Sequence, residues 1–155
     1  MKEQLRNALR HHAQAVTIVT AAGPDGPVGT TVSSFTSASF EPPLVVVWIG
    51  EGASVWPVLR TAPLFAVHLL DAAQTPLADL FATKGVDRFG PETRWQPDDD
   101  GVPVLLDAPV RLRCRTARRI VVGDHIALVG EPLDITHSDI ATPLVRHQGR
   151  YTSVA

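Results

Sequence analysis

The chain has 155 residues, 45% of them apolar, with 14 Lys and Arg against 16 Asp and Glu for a net charge of −2. A folded chain of this size hides roughly 70% of the surface it exposes when unfolded, so it can build one core without staples, and the single cysteine, Cys114, excludes an internal disulfide framework. The near-neutral charge excludes a global field for nucleic acid or an anionic membrane, the longest apolar run is six residues against the ~20 a bilayer needs, and MKEQLRNALRHH has no signal-peptide core, so a reducing cytoplasm is the expected setting.

In chain order, Leu5, Ala8 and Leu9 fall at helical spacing and predict a short amphipathic helix from Met1 to about His12. VTIVTA (Val16 to Ala21) is β-branched and runs into the turn formers GPDGPVG before the chain resumes at Thr30, the pattern of a hairpin. From Thr30 to Ser39 seven of ten residues carry a hydroxyl, immediately before the apolar run LVVVWI (Leu44 to Ile49). LFAVHLL (Leu64 to Leu70), VRLRCRT (Val110 to Thr116), IALVGEPL (Ile126 to Leu133) and the tail LVRHQGRYTSV supply further strands, about seven in all. Two helical pieces interrupt them. Ser54 is placed to cap a helix over Val55 to Arg60, and Thr75 with Pro76 reads as the N-cap and first turn of a helix to Ala82. No repeat or linker divides the chain, so residues 1–155 read as one domain. Many strands with few helices favour a small, nearly closed antiparallel barrel, because closure removes exposed sheet edges. LVVVWI and LFAVHLL are apolar at nearly every position, so their outer faces need a cover: a helix of the same chain, or a second copy in a homodimer.

Local pattern leaves the chemistry open. Hydroxyls from Thr30 to Ser39 satisfy turn and strand-end backbone groups in the ordinary reading, and line a ligand groove in the sharper one. Lys84 and Arg88 read as a solvated helix end, and His125 as a residue beside a turn. Arg111, Arg113 and Arg115 share one strand face by period two, which is a solvated or interface face before it is a phosphate site. Trp48, Trp56 and Trp95 read as packing residues. His11 and His12 lack partners at a metal spacing, so no metal is expected.

The order of six motifs decides between these readings: AVTIVTA with GPDGPVG, GTTVSSFTSASFEPPLVVV, SVWPVLRTAPLFAVHLL, LADLFATKGVDRF, CRTARRIVVGDHIALVGE and PLVRHQGRY. Together they resemble, nearly end to end, the short-chain flavin reductases, flavin reductase-like domains built on an FMN-binding split barrel. The resemblance implies an all-β-dominated fold, a small antiparallel split barrel of Greek-key type with a few peripheral helices. It implies an NAD(P)H:flavin oxidoreductase that passes hydride from NADH or NADPH to FMN or FAD and supplies reduced flavin to a partner monooxygenase. A flavin carrier or sensor without reductase activity is the alternative, and a barrel that serves only as an interaction module is the third.

By the same resemblance Thr30, Thr31, Val32, Ser33 and Ser34 cradle the isoalloxazine edge and ribityl chain, where hydroxyls and backbone N–H groups stabilise the negative charge the ring gains on reduction. Ala53 and Ser54 receive the flavin phosphate, with Gly50 and Gly52 allowing close approach. Lys84 and Arg88 contact the phosphate or ribityl chain. His125, its ring held by Asp124, orients the nicotinamide or assists proton balance, with Arg150 and Tyr151 nearby. The chain departs from the family pattern at Glu41, where Asp is common before the two prolines, and at His68, where Asn is usual. The second substitution brings a bulkier, titratable group to a place inside the barrel or beside the cofactor, where it would alter flavin preference or affinity.

Overall fold

The structure, a computed structural model, describes residues 1–139 and 142–154. It begins with α1 (Lys2–Leu9), β1 (Gln14–Ala15), the hairpin β2 (Thr17–Gly23) and β3 (Gly26–Val32), then β4 (Phe35–Phe40), β5 (Pro43–Gly50), α2 (Trp56–Leu59) and β6 (Leu64–Leu69). A 3₁₀ turn at Ala72–Gln74 leads into α3 (Thr75–Ala82), followed by β7 (Trp95–Pro97), β8 (Pro103–Leu105), the long strands β9 (Val110–Val122) and β10 (His125–His137), and β11 (Leu144–His147) with β12 (Arg150–Ser153). The protein is mostly β, with few and short helices.

Seven strands form one antiparallel sheet in the order β3-β2-β6-β9-β10-β5-β4. Its two outermost strands, β3 and β4, are consecutive in the chain and separated only by Ser33 and Ser34. No ladder joins them, so the sheet is open along that line. Two hydrogen bonds tie the joint to β5: the Trp48 N–H donates to the Ser34 carbonyl at 3.0 Å, and the Ser34 hydroxyl donates to the Trp48 carbonyl at 3.2 Å.

Alternation in the strands sets the core. Val19 and Ala21 of β2, Val45, Val47 and Ile49 of β5 and Leu112 and Cys114 of β9 bury on one side of the sheet, against Phe65 and Leu128. Ile18 of β2 points the other way, into a second cluster with Phe81 and Ala78 of α3, Leu105 of β8 and Leu144 of β11. The outer face of β6 is therefore covered by this chain itself. That of β5 is not: Val46 and Trp48 are only half-buried between their buried neighbours. At Gly130 of β10 a Cβ would lie 2.5 Å from the Phe65 ring, so that close approach requires glycine.

Several boundaries differ from the sequence reading. The turn after β2 is only Pro24 and Asp25, because Pro27 and Val28 continue the ladder opposite Ala22 and Ala21. Ser54 does not cap α2: the helix begins at Trp56, Val55 is its N-cap residue, and no side chain caps it. Thr75 lies inside α3 rather than before it, because Asp71 and Gln74 form a capping box on the preceding 3₁₀ turn and the helix grows from that turn. The arginines of β9 do share a face, and two of the three are spent on partners: Arg113 pairs with Asp98 at 2.9 Å and with Asp100, and Arg115 with Glu131 at 2.7 Å. Arg119 donates to the carbonyls of Leu59 and Ala62 at 2.9 and 2.6 Å, tying the end of α2 to β9.

His68 is fully buried in β6 and bridges three elements. Its Nδ1–H donates to the Ile18 carbonyl of β2 at 3.1 Å, and its Nε2 accepts the Leu105 N–H of β8 at 3.1 Å. A backbone N–H aimed at Nε2 requires that nitrogen to be bare, so the ring is neutral. Burial holds its pKa down at about 4.

Candidate active site

The hydroxyl-rich stretch lies along the open line between β3 and β4, where edge strands leave backbone donors and acceptors outside any ladder. Three of its hydroxyls are spent locally: Thr31 donates to the Ala78 carbonyl at 2.7 Å, Ser34 to that of Trp48 at 3.2 Å, and Thr36 to that of Ser37 at 3.2 Å. Thr30 and Ser33 make no side-chain hydrogen bond among the described residues. Both face a cavity of about 220 Å³ bounded by the joint and by Trp48, Gly50 and Ala53.

Thr30 and Ala53 also line a larger cavity, of about 770 Å³, which continues between β3, the loop through Ser54, and the segment from Lys84 to Phe89. Five predicted residues thus meet there: Thr30, Ala53, Ser54, Lys84 and Arg88. The two arginine and lysine side chains differ in availability. The Arg88 guanidinium donates to the Gly29 carbonyl at 2.7 Å and to the Thr83 carbonyl at 3.0 and 3.3 Å, pinning the loop to β3, and burial lowers its pKa. Lys84 is exposed and has no ion-pair partner among the described residues. Arg88 builds the wall, and Lys84 is the cation the cavity can offer.

At the other end, His125 opens β10 opposite Gly50. Its Nδ1–H donates to Asp124 Oδ1 at 2.7 Å, and that bond, with the charge of the ring, holds the Asp124 carboxyl below its usual range. The bond fixes the ring so that Nε2 faces Gly50, whose Cβ position is 3.7 Å away. Gly50 lines the smaller cavity, so His125 stands at its rim.

Tyr151 and Arg150 are not brought to either cavity. Tyr151 packs half-buried against the second core cluster, with the Arg146 guanidinium 5.8 Å from its ring centre. Several lining residues are missing from the sequence reading, Trp48 and Gly29 among them. Trp48 reads as packing in the sequence, yet alternation with Val47 and Ile49 puts it on the non-core face. Gly29 forms the cavity floor, where a Cβ would lie 2.8 Å from the Phe81 ring. Trp95 does pack, edge-on to Phe89 with ring centres 5.2 Å apart.

Residues 9–155 match the family model described as the flavin reductase like domain. This chain belongs to that family. It is 41% identical over 134 residues to the FMN reductase (NADH) SmoA of Agrobacterium fabrum, a match covering 86% of this chain and 76% of that protein. It superposes with a TM-score of 0.92 and 34% identity on the Streptomyces globisporus C-1027 NADH:FAD oxidoreductase SgcE6, solved in complex with NAD and FAD fragments, over 99% of this chain and 93% of that one. Against the crystal structure of BorF, the flavin reductase component of a bacterial two-component tryptophan halogenase, the TM-score is 0.89 at 31% identity, covering 99% and 98%.

The residues present fit a flavin. Two unspent hydroxyls and the backbone along the joint suit the acceptors and donors of a ring edge and a ribityl chain, and Lys84 suits an anionic tail. Among the described residues no carboxylate lines the smaller cavity, and the one in the larger, Asp87, is turned to its own loop, accepting the Phe89 N–H at 3.1 Å.

Proposed function

We propose that this flavin reductase-like chain is an NAD(P)H:flavin oxidoreductase that transfers hydride from NADH or NADPH to FMN or FAD and releases reduced flavin to a partner monooxygenase. The observation that carries the reading is the pair of adjoining cavities along the β3–β4 joint, with Lys84, a cation without an ion-pair partner among the described residues, at one end and the oriented His125 ring at the other. The open line in the sheet is the split of an FMN-binding split barrel, and the whole of residues 1–155 is one domain.

The flavin supplies the redox chemistry when bound. The chain's own residues bind and orient. Thr30, Thr31, Val32, Ser33 and Ser34 hold the ring edge and ribityl chain through hydroxyls and main chain, with Thr31 and Ser34 acting by fixing the backbone. Ala53, Ser54 and Lys84 take the phosphate, and Arg88 shapes the loop that carries Lys84. His125, held by Asp124, presents Nε2 to the nicotinamide and balances protons at the rim. Tyr151 packs in the neighbouring cluster and is assigned no contact in either cavity. No nucleophile is required, because stacking the two rings at reactive distance is the task.

The half-exposed face of β5 and the apolar hairpin tip of Ile120, Val121 and Val122, 46%, 76% and 49% exposed, support a homodimer. The role of BorF as the reductase component of a two-component halogenase supports delivery to a partner enzyme, and the single cysteine fits a reducing cytoplasm. The described residues include no helix long and apolar enough to cross a membrane.

The test is anaerobic mixing of apo-protein with FMN or FAD followed by NADH or NADPH. Rapid bleaching of the flavin is expected. Binding without bleaching refutes the enzyme in favour of a carrier, and absence of binding refutes both.

A further inference from the structure

Beyond Trp48 the groove does not stop. The smaller cavity shares Ser33, Ser34 and Trp48 with a third one, which in turn shares His12 and Gln14 with a trough of about 690 Å³ between α1 and the turn joining β11 to β12. The trough has a chemistry unlike the rest of the molecule. Lys2, Arg6, Arg10 and Arg146 line it together with His12, and among the described residues no carboxylate does, in a chain whose net charge is −2. Leu5 and Leu9, one helical turn apart and 56% and 55% exposed, supply an apolar floor between these cations.

Helix α1 buries none of its side chains. It is held instead through its end: the Gln148 N–H donates to the Arg10 carbonyl at 3.0 Å, and Arg10 Nη2 donates to the Gln148 carbonyl at 3.2 Å. The helix is therefore positioned by the turn, at the cost of one Arg10 donor, while the side chains of Lys2, Leu5, Arg6 and Leu9 stay available.

We infer that this trough binds the adenosine-phosphate half of the reduced nicotinamide dinucleotide, a subsite that rests on reading Thr30 to Ser34 as the flavin groove. An adenine has an apolar face suited to Leu5 and Leu9, and the phosphates require the several cations that an acid-free wall provides. Direction separates the two dinucleotide sources. With the flavin phosphate at Lys84, the adenosine half of FAD leaves the groove at the end away from α1. A nicotinamide stacked beside Trp48 and His125 lies next to the trough and extends into it.

The experiment compares Arg6→Glu with the parent protein, using NADH and reduced nicotinamide mononucleotide, which lacks the adenosine half. The ratio of kcat/KM for NADH to that for the mononucleotide falls about tenfold or more, corresponding to loss of one charge-assisted contact, and Arg6→Lys restores most of it. A ratio within twofold of the parent's overturns the proposal. A fall in the FAD-to-FMN ratio instead assigns the trough to the flavin and overturns its assignment to the reductant. Dissociation of a dimer by Arg6→Glu, seen by sedimentation, assigns it to a second copy and likewise overturns it. Titration of the isotope-labelled protein with 5′-AMP needs no turnover: amide shifts in residues 2–12 and at Gly149 are expected, and their absence overturns the subsite. Such shifts in a protein that bleaches no flavin would retain the subsite while refuting the reductase.

Discussion

Acidification tests the reading of His68 as a neutral strut. The unfolded chain takes up a proton on this imidazole near its ordinary pKa of 6.5, whereas the folded chain resists until about 4. Above 6.5 both states are neutral and the group contributes no pH dependence. Below it only the unfolded chain binds the proton, so stability falls with falling pH by about 1.4 kcal/mol per unit, reaching a loss of about 3 kcal/mol at pH 4. Carboxylates titrate over part of the same range, so the effect is isolated by comparison. His68→Asn removes the titration and keeps a donor and an acceptor. Urea unfolding of both proteins at pH 7.5 and pH 4 gives two losses. The parent's is expected to exceed the variant's by about 3 kcal/mol, even though the variant is the less stable at pH 7.5 through lost packing and a strained or missing bond to Leu105. Equal losses in the two proteins would refute the reasoning, because they require His68 to be charged or hydrated in the folded state.

Lys84→Ala is expected to weaken FMN binding about tenfold and riboflavin binding less than twofold, measured by fluorescence quenching, since only the phosphate meets the ammonium. Equal effects on both would place Lys84 away from the phosphate. His125→Ala should slow NADH oxidation about tenfold or more while flavin affinity stays nearly intact, and unchanged turnover removes His125 from the site. Gly29→Ala sets a methyl 2.8 Å from Phe81 and 3.1 Å from Phe89, and the overpacking should cost about 1–3 kcal/mol in urea unfolding. A cost below that range would mean the two rings shift freely.

Much of this molecule is legible in the chain because its signals are local. Continuous apolar and β-branched runs mark β2, β5, β6 and β10, alternation marks β9, and a turn cluster marks the first hairpin. The weaker strands were not legible. β4 is FTSASF, a polar edge strand mostly exposed, and β7 and β8 are three residues each, so none carries an apolar stripe to announce it. The candidate cap at Ser54 failed for a related reason: a single turn of helix such as α2 is held by Arg119 from β9, sixty positions away in the chain, rather than by its own cap.

The sequence by itself determined that the chain is β-rich, that hydroxyls gather from Thr30 to Ser39, and, through six ordered motifs, which family it belongs to. Tertiary structure decided which of those hydroxyls are spent. Thr31 and Ser34 resemble Thr30 and Ser33 in composition and differ only in what lies within hydrogen-bond reach, the carbonyls of Ala78 and Trp48. It likewise decided that Arg88 is a brace and Lys84 an offered charge, and that His68 is neutral. A side chain's availability depends on its partners in space, and those partners come from distant parts of the chain.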